Sequence, residues 1–296
     1  MECCSRGGAA WRAVYHTGPI GIIPRMVGNR WRLILSPPAA GSVNMALDEA
    51  ILESVAAAKS PATLRLYAWA PPCLSLGHAQ SIESVDLYGL HDLGWDLVRR
   101  PTGGRAILHT DELTYAVAGL AADPLLAGGV LASYQRLSAG LVHALQLLGL
   151  GAELRSSSNP APSASRSSPI CFEVPGPFEL TWGGRKLLGS AQLRRSGAVL
   201  QHGTLPLEGD LGRICSVLHL PDREQAKQSL RRAAATLEQA LGRKASWEAA
   251  AAALADGFRE ALQLDLIEGA PTEAELERSE QLLAERYVLV DGPVRR

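Results

Sequence analysis

The chain has 296 residues, 47% of them hydrophobic, with 29 lysines and arginines against 30 aspartates and glutamates. This is ample material for one large core, and the near-zero net charge excludes a strong overall field for nucleic acid or an anionic membrane surface. Five cysteines, an odd number without C-x-x-C or zinc-type spacing, argue against a disulfide framework and fit a reducing, cytoplasmic setting, and no apolar run reaches the roughly 20 residues of a membrane span.

Residues 1–29 carry arginines and almost no acid, and lack the apolar stretch of a secretory signal. They read as a disordered extension ahead of one domain over 30–290, with Met26 as the expected functional start. "RWRLIL" (30–35) has strand character. In "SVNMALDEAILESVAAA" (42–58) the apolar positions 43, 46, 47, 50, 51, 55 and 58 follow helical spacing. That spacing places Asp48, Glu49 and Glu53 on the opposite, outer face, with Ser42 or Asn44 as the cap. "TLRLYAW" (63–69) and "CLSLGHAQ" (73–80) read as strands separated by Pro71-Pro72, and "WDLVRR" (95–100) as a further strand. "PTGG" breaks that strand, and "RAILHTDELTYAVAG" (105–119) has strand character at both ends.

A helix follows with Tyr134, Leu137, Leu141, Leu145 and Leu148 on one face, ended by Gly149 and Gly151. "SSSNPAPSASRS" (156–167) is a soft loop by composition. Beyond it, "FELTW-GG-RKLLGSAQLRR-SG-AVLQHGTLPL" (178–207) reads as a three-strand meander with two-residue turns at Gly183-Gly184 and Ser196-Gly197. From about 222 to 287 the chain turns helical, at 224–241, 246–263 and 272–287, the last opened by a Thr272-x-x-Glu275 capping box. This order predicts an α+β (mixed α/β) fold, with a central mixed, largely antiparallel sheet, rich in hairpins and flanked by helices.

Three stretches could carry chemistry. In "RRPTGGRAILH" (99–109), Gly103 and Gly104 let backbone approach a ligand, with Arg99, Arg100 and Arg105 around them. The spacing alone equally admits a plain hairpin with solvated arginines. In "GRKLLGSAQLRR" (184–195), Lys186 stands just past the turn, and Gly189-Ser190-Ala191 weakens a strand unless something packs closely on it; a surface lysine at a turn is the simpler reading.

The third stretch is "SPICFEVPGPFEL" (168–180), where Cys171 closes the soft loop instead of sitting in a core. A thiol of ordinary pKa, about 8.5, is only slightly ionised at neutral pH, and bringing it to about 7 takes roughly 2 kcal/mol. One ammonium at about 4 Å is worth around 4 kcal/mol at an effective dielectric near 20. A turn at Gly183-Gly184 sets Lys186 opposite Thr181, near where the chain arrives from Cys171. His109 and His202 close two strand segments and suit structural hydrogen bonding more readily than base chemistry.

In this order, "NMALDEAIL" (44–52), "TLRLYAWAPPCLSLGHAQ" (63–80), "RRPTGGRAILHTDELTYAV" (99–117) and "GRKLLGSAQLRRSGAVLQHGTL" (184–205) resemble the biotin/lipoyl protein ligase and transferase family over about 30–287. Gly103-Gly104-Arg105 where its ATP-dependent lipoate ligases usually carry three glycines, together with "ELTY" and "CFEVPGPFEL", is similar to its octanoyltransferase branch of the LipM type. Gly176 and Phe178 depart from the Ser and Tyr usual in that branch.

The resemblance implies a biotin/lipoyl ligase-like catalytic domain. Cys171 becomes the acyl-thioester nucleophile, and Lys186 the group that lowers its pKa. Arg99, Arg100, Gly103, Gly104, Arg105, His109, Gly189, Ser190, Ala191, Gln192 and His202 become the substrate-binding set. Octanoyl-acyl carrier protein is the implied donor, and a lipoyl-domain protein (glycine cleavage H protein or a dehydrogenase E2) the acceptor. Oxyanion stabilisation would come from backbone amides near Gly189–Gln192 or at 103–105, and no ATP or metal is implied. An ATP-dependent lipoate–protein ligase, or an amidotransferase moving octanoyl between lipoyl domains, remains the alternative.

Overall fold

In the computed structural model, residues 29–150, 154–156, 170 and 180–287 are described. The large sheet has eight strands: β1 (Arg30–Leu35), β2 (Thr63–Tyr67), β6 (Glu112–Leu120), β7 (Leu154–Ser156), β8 (Leu180–Trp182), β9 (Arg185–Arg195), β10 (Ala198–Pro206) and β11 (Asp265–Glu268). Their order is β11-β1-β2-β6-β10-β9-β8-β7. The pairs β11/β1 and β1/β2 are parallel and all others antiparallel, so the sheet is mixed and largely antiparallel as the sequence predicts.

The sheet is covered on both faces, because its strands carry leucine and valine on one side and a second buried set on the other. On one face, α3 (Val130–Leu147) and α6 (Trp247–Ala261) bring Leu137, Leu141, Leu254 and Phe258 onto Leu64, Leu66 and Val117. On the other, α1 (Gly41–Ala56) and α7 (Glu273–Arg286) pack Met45, Ile51, Leu52 and Leu282 near Ile34 and Leu200. A second sheet, ordered β4-β3-β5, consists of β3 (Cys73–Leu76), β4 (Asp96–Arg99) and β5 (Ile107–His109). Against it pack α2 (Leu87–Asp92), a 3-10 turn at Leu211–Val217 and α4 (Arg223–Ala233). Among the described residues no helix is long and apolar enough to cross a membrane.

Both expected two-residue turns form. Gly183 and Gly184 take φ of +53° and +78°, and Ser196 and Gly197 +52° and +73°, the left-handed pairs that match strand twist in a hairpin. The Thr272/Glu275 capping box is also present.

Several expectations are corrected. Asp48 and Glu49 do not face outward: both are 1% exposed, because α1 lies between the sheet and α7 and both acids meet buried partners. Asp48 binds Arg65 (2.7 Å) and the Tyr67 hydroxyl (2.8 Å); Glu49 binds Arg195, Arg286 and the Tyr287 hydroxyl. Helix α1 starts with Ala40 at its N-cap and no side-chain cap, and Asn44 donates instead to the carbonyls of Ala39 and Ala68. The helix expected over 224–241 is two helices, α4 and α5 (Leu237–Leu241), because Ala234 and Ala235 leave the helix to pair with Lys186. The two strands expected within 63–80 both form, in different sheets: β2 joins the large sheet and β3 the small one. The strands flanking the two-glycine turn are not a hairpin, since β4 and β5 lie on opposite sides of β3.

Burial opposes the charge on Asp48, Glu49 and Glu275, yet their ion pairs and hydrogen bonds overcome it and hold each carboxyl below its ordinary range. Burial also holds His202 below its ordinary value, against the pull of Asp48. A group depressed in this way stabilises the fold above its unfolded-state pKa and loses that contribution on acidification. Urea midpoints measured against pH should therefore be level above about 6.5, decline first as His202 takes a proton, and fall steeply below about 4; a midpoint independent of acid would contradict this. Glu275 also ties α7 to β1 through a two-pronged contact with Arg32 (2.8 and 2.7 Å). Glu275→Ala strands that buried cation and should cost about 3–5 kcal/mol in urea unfolding.

Candidate active site

The two-glycine stretch is a loop wrapped around its own arginine. Arg100, 3% exposed, sends Nε and Nη2 to the Gly103 carbonyl (3.2 and 2.9 Å), Nη2 also to the Arg105 carbonyl (2.7 Å), and Nη1 to the carbonyl and Oγ of Ser75 (3.1 and 3.0 Å). A guanidinium has five donors, and these contacts use them on the protein itself. Arg99 Nη1 gathers the carbonyls of Gly77, His78 and Gln80. The 77–80 turn stacks directly on the loop: the His78 amide donates to the Thr102 carbonyl (2.9 Å), and a Cβ on Gly77 would sit 1.9 Å from the Gly104 carbonyl oxygen. Arg99 and Arg100 thus shape the loop, while Arg105 keeps a buried Nη1 with no hydrogen-bond partner among the described residues.

Behind the loop lies a small cavity between the large and small sheets. Met45 of α1, Tyr67, Trp69, Ile107 and Thr114 supply much of its wall; Arg100, Gly104, His109, Gly189, Ser190, Ala191, His202, Gly203 and Thr204 complete it. The register sets this up: Gly189 pairs with Thr204 and Ala191 with His202, so small residues and His202 share one face. Ser190 turns its hydroxyl to Tyr115 (2.7 Å), and Gln192 reaches Gln201 (2.8 Å) instead of lining the cavity. Burial pushes the Tyr115 hydroxyl up to about 12, so it stays protonated at neutral pH.

Both histidines lie beside buried acids. His109 Nδ1 meets Glu112 Oε1 (2.7 Å), its Nε2 meets Ser75 Oγ (2.7 Å), and its ring stacks on Trp69 at 3.9 Å. A Ser-His-Glu chain has the outline of a hydrolase triad, but Ser75 is fully buried and its oxygen also serves Arg100, so no substrate reaches it. Thr102 Oγ1 lies 2.6 Å from His202 Nε2, and His202 Nδ1 is 3.6 Å from Asp48, tying the loop to α1.

Lys186 is fully buried and pairs with Thr181, as the turn register requires. Its carbonyl accepts from the Ala235 amide (2.9 Å), and it bridges Ala234. Cys171 and the soft loop before Ile170 lie outside the described residues, as do residues 1–28. Ile170, immediately before Cys171, is buried and bridges Ala106, next to Arg105. Ala106, Ile170 and Ala234 belong to one apolar cluster. A second cleft of about 450 Å3 runs past Ala106 and Ile170 and shares Ile107 and Thr204 with the cavity.

Sequence reasoning missed Asp48, Arg65, Thr102 and Glu112. The signal for Asp48 was an acid embedded in an otherwise apolar helical run; for Glu112, three more side chains had to be placed before its role could be seen.

The fold and this lined cavity define a ligase- or transferase-type catalytic domain for a small acyl group. Residues 40–259 match the lipoyl protein ligase A/B catalytic domain, and the chain belongs to that family. It is 37% identical to octanoyltransferase LipM of Brevibacillus brevis, over 90% of this chain and 99% of the relative. It is 38% identical to octanoyltransferase LipM of Moorella thermoacetica, over 92% and 100%. Among solved structures, lipoate-protein ligase A bound with ATP superposes with a TM-score of 0.72 at 26% identity, covering 87% of this chain and 96% of that one. A bipartite lipoate protein ligase of Thermoplasma acidophilum, studied with its E2 lipoyl domain, gives 0.71 at 25%, covering 90% and 98%.

Gly77→Ala drives a methyl group into the Gly104 carbonyl, so the loop must move. The expected result is at least about a tenfold loss in kcat/KM, roughly 1.4 kcal/mol of transition-state stabilisation. Circular dichroism should show the fold retained; unchanged kcat/KM would mean the stacked turn is irrelevant to the site.

Proposed function

We propose that the chain transfers an octanoyl group from acyl carrier protein to a lysine of a lipoyl domain, through a thioester on Cys171. The observation that carries this reading is a convergence. A mostly apolar cavity ends at the loop and β9, and the residue before Cys171 and the backbone partner of Lys186 share one cluster beside it. The octanoyltransferase relatives support the acyl group and the reaction. The neighbour studied with an E2 lipoyl domain supports the acceptor class.

The octanoyl tail fills the cavity, with its carbonyl toward Cys171. Lys186 stabilises the thiolate, which attacks the carbonyl; the carrier's thiol leaves, and amides of the 103–105 loop receive the oxyanion. The acceptor amine then displaces the cysteine and forms the amide. Two modest barriers replace one high one. The octanoyltransferase relatives favour transfer without ATP. The chemistry needs a reduced thiol, in keeping with a cytoplasmic setting and with the free Cys73.

Mixing the protein with octanoyl-acyl carrier protein, without ATP, should give an octanoyl adduct on Cys171 by peptide mass spectrometry. Transfer to a lipoyl domain should fall at least about a hundredfold in Cys171→Ala and substantially in Lys186→Met. An adduct-free wild type, or a product that forms only with ATP and free acid, would refute this reading.

A further inference from the structure

Glu112 is 5% exposed and lines the second cleft, which also holds Ile170, and a wider groove of about 1210 Å3 that opens to solvent beside Trp247. Its Oε1 is fully occupied: His109 Nδ1 at 2.7 Å, Thr114 Oγ1 at 2.6 Å and Thr204 Oγ1 at 3.2 Å. No described residue donates to Oε2. The other three carboxylates on the cleft each have a cation of this chain: Asp111 has Arg213, Glu208 has Lys244 and Asp210 has Arg231. Glu112, the most buried of the four, has none among the described residues; His109 from β5 is its one titratable partner. A fixed carboxylate whose Oε2 has no donor among the described residues, on the wall shared by a cleft and a solvent-open groove, is complementary to a single incoming ammonium.

We propose that Glu112 binds the acceptor lysine and takes its proton before attack; this rests on the acyl-enzyme reading above. A lysine is charged at neutral pH and carries no lone pair until a proton leaves. The proton passes from Nζ to Oε2 and on to solvent. The neutral amine then attacks the thioester carbonyl, a C–N bond forms, and the C–S bond breaks with its electron pair on sulfur. The second amine proton goes to the cysteine. His109, Thr114 and Thr204 hold Oε1 and so fix the carboxylate.

The test separates the two half-reactions in the full-length protein. Acyl-enzyme is formed from octanoyl-acyl carrier protein and isolated, then chased with a lipoyl domain or with hydroxylamine, which is uncharged at pH 7. In Glu112→Gln, the lysine chase at pH 7 should slow about a hundredfold more than the hydroxylamine chase, each measured against wild type. The lysine chase should also recover about tenfold per pH unit toward the lysine's own pKa near 10.4, which a merely structural lesion would not do. Glu112→Asp, a less disruptive change if the Gln variant fails to fold, should fall between the two and show the same partial recovery. Equal slowing of both chases at every pH, or an unaffected lysine chase, overturns the assignment. Failure of wild type to form any acyl-enzyme removes the Cys171 reading and this inference with it.

Discussion

The site stands on a buried ion pair. Arg65, 2% exposed in the middle of β2, grips Asp48 of α1 and the side chain and carbonyl of Asn44. Its guanidinium also lies over the Tyr67 ring at 4.0 Å. A pair this deep contributes little net stability, because desolvation of both ions offsets their attraction. What it supplies is position. With Arg65 and Tyr67 on Asp48, the carboxylate sits opposite His202, whose far nitrogen meets Thr102 of the two-glycine loop. Helix, sheet and loop are thereby registered to one another through directional contacts, where apolar packing alone tolerates sliding.

A second polar line runs from Glu112 through His109 and Ser75 to Arg100, and so to the loop carbonyls. The loop is therefore held at Thr102 from the large sheet and at Arg100 from the small one. Between the two lines lies the cavity. Buried polar networks stiffen a site when their members are satisfied, and most links here have their partner; among the described residues Arg105 Nη1 and His202 Nδ1 are buried without a hydrogen bond, and no described residue donates to Glu112 Oε2.

Much of the frame was legible from residues with local causes. Paired positive-φ residues at 183–184 and 196–197 fixed the hairpins, and with them the Thr181–Lys186 register. Leucine spacing gave α3, and Thr272 with Glu275 gave the start of α7. What the sequence hid was set by distant partners. Helical periodicity assigned Asp48 and Glu49 to solvent, and only Arg65, Arg195 and Tyr287, from other parts of the chain, make burial of those acids tolerable. Ala234 and Ala235 are good helix formers, and they leave the helix because a strand backbone meets them. The two-glycine turn looked like a hairpin because neighbours in sequence usually pair; β3 inserts between its strands.

The contact between Lys186 and Ala235 spans almost fifty residues of chain and joins the hairpin to the helical C-terminal part. During synthesis, the loop, cavity floor and meander leave the ribosome first, and the segment that fixes the lysine's strand leaves later. A nascent chain stopped before residue 235 holds the Lys186 strand without the backbone contact that ties it to the helical part.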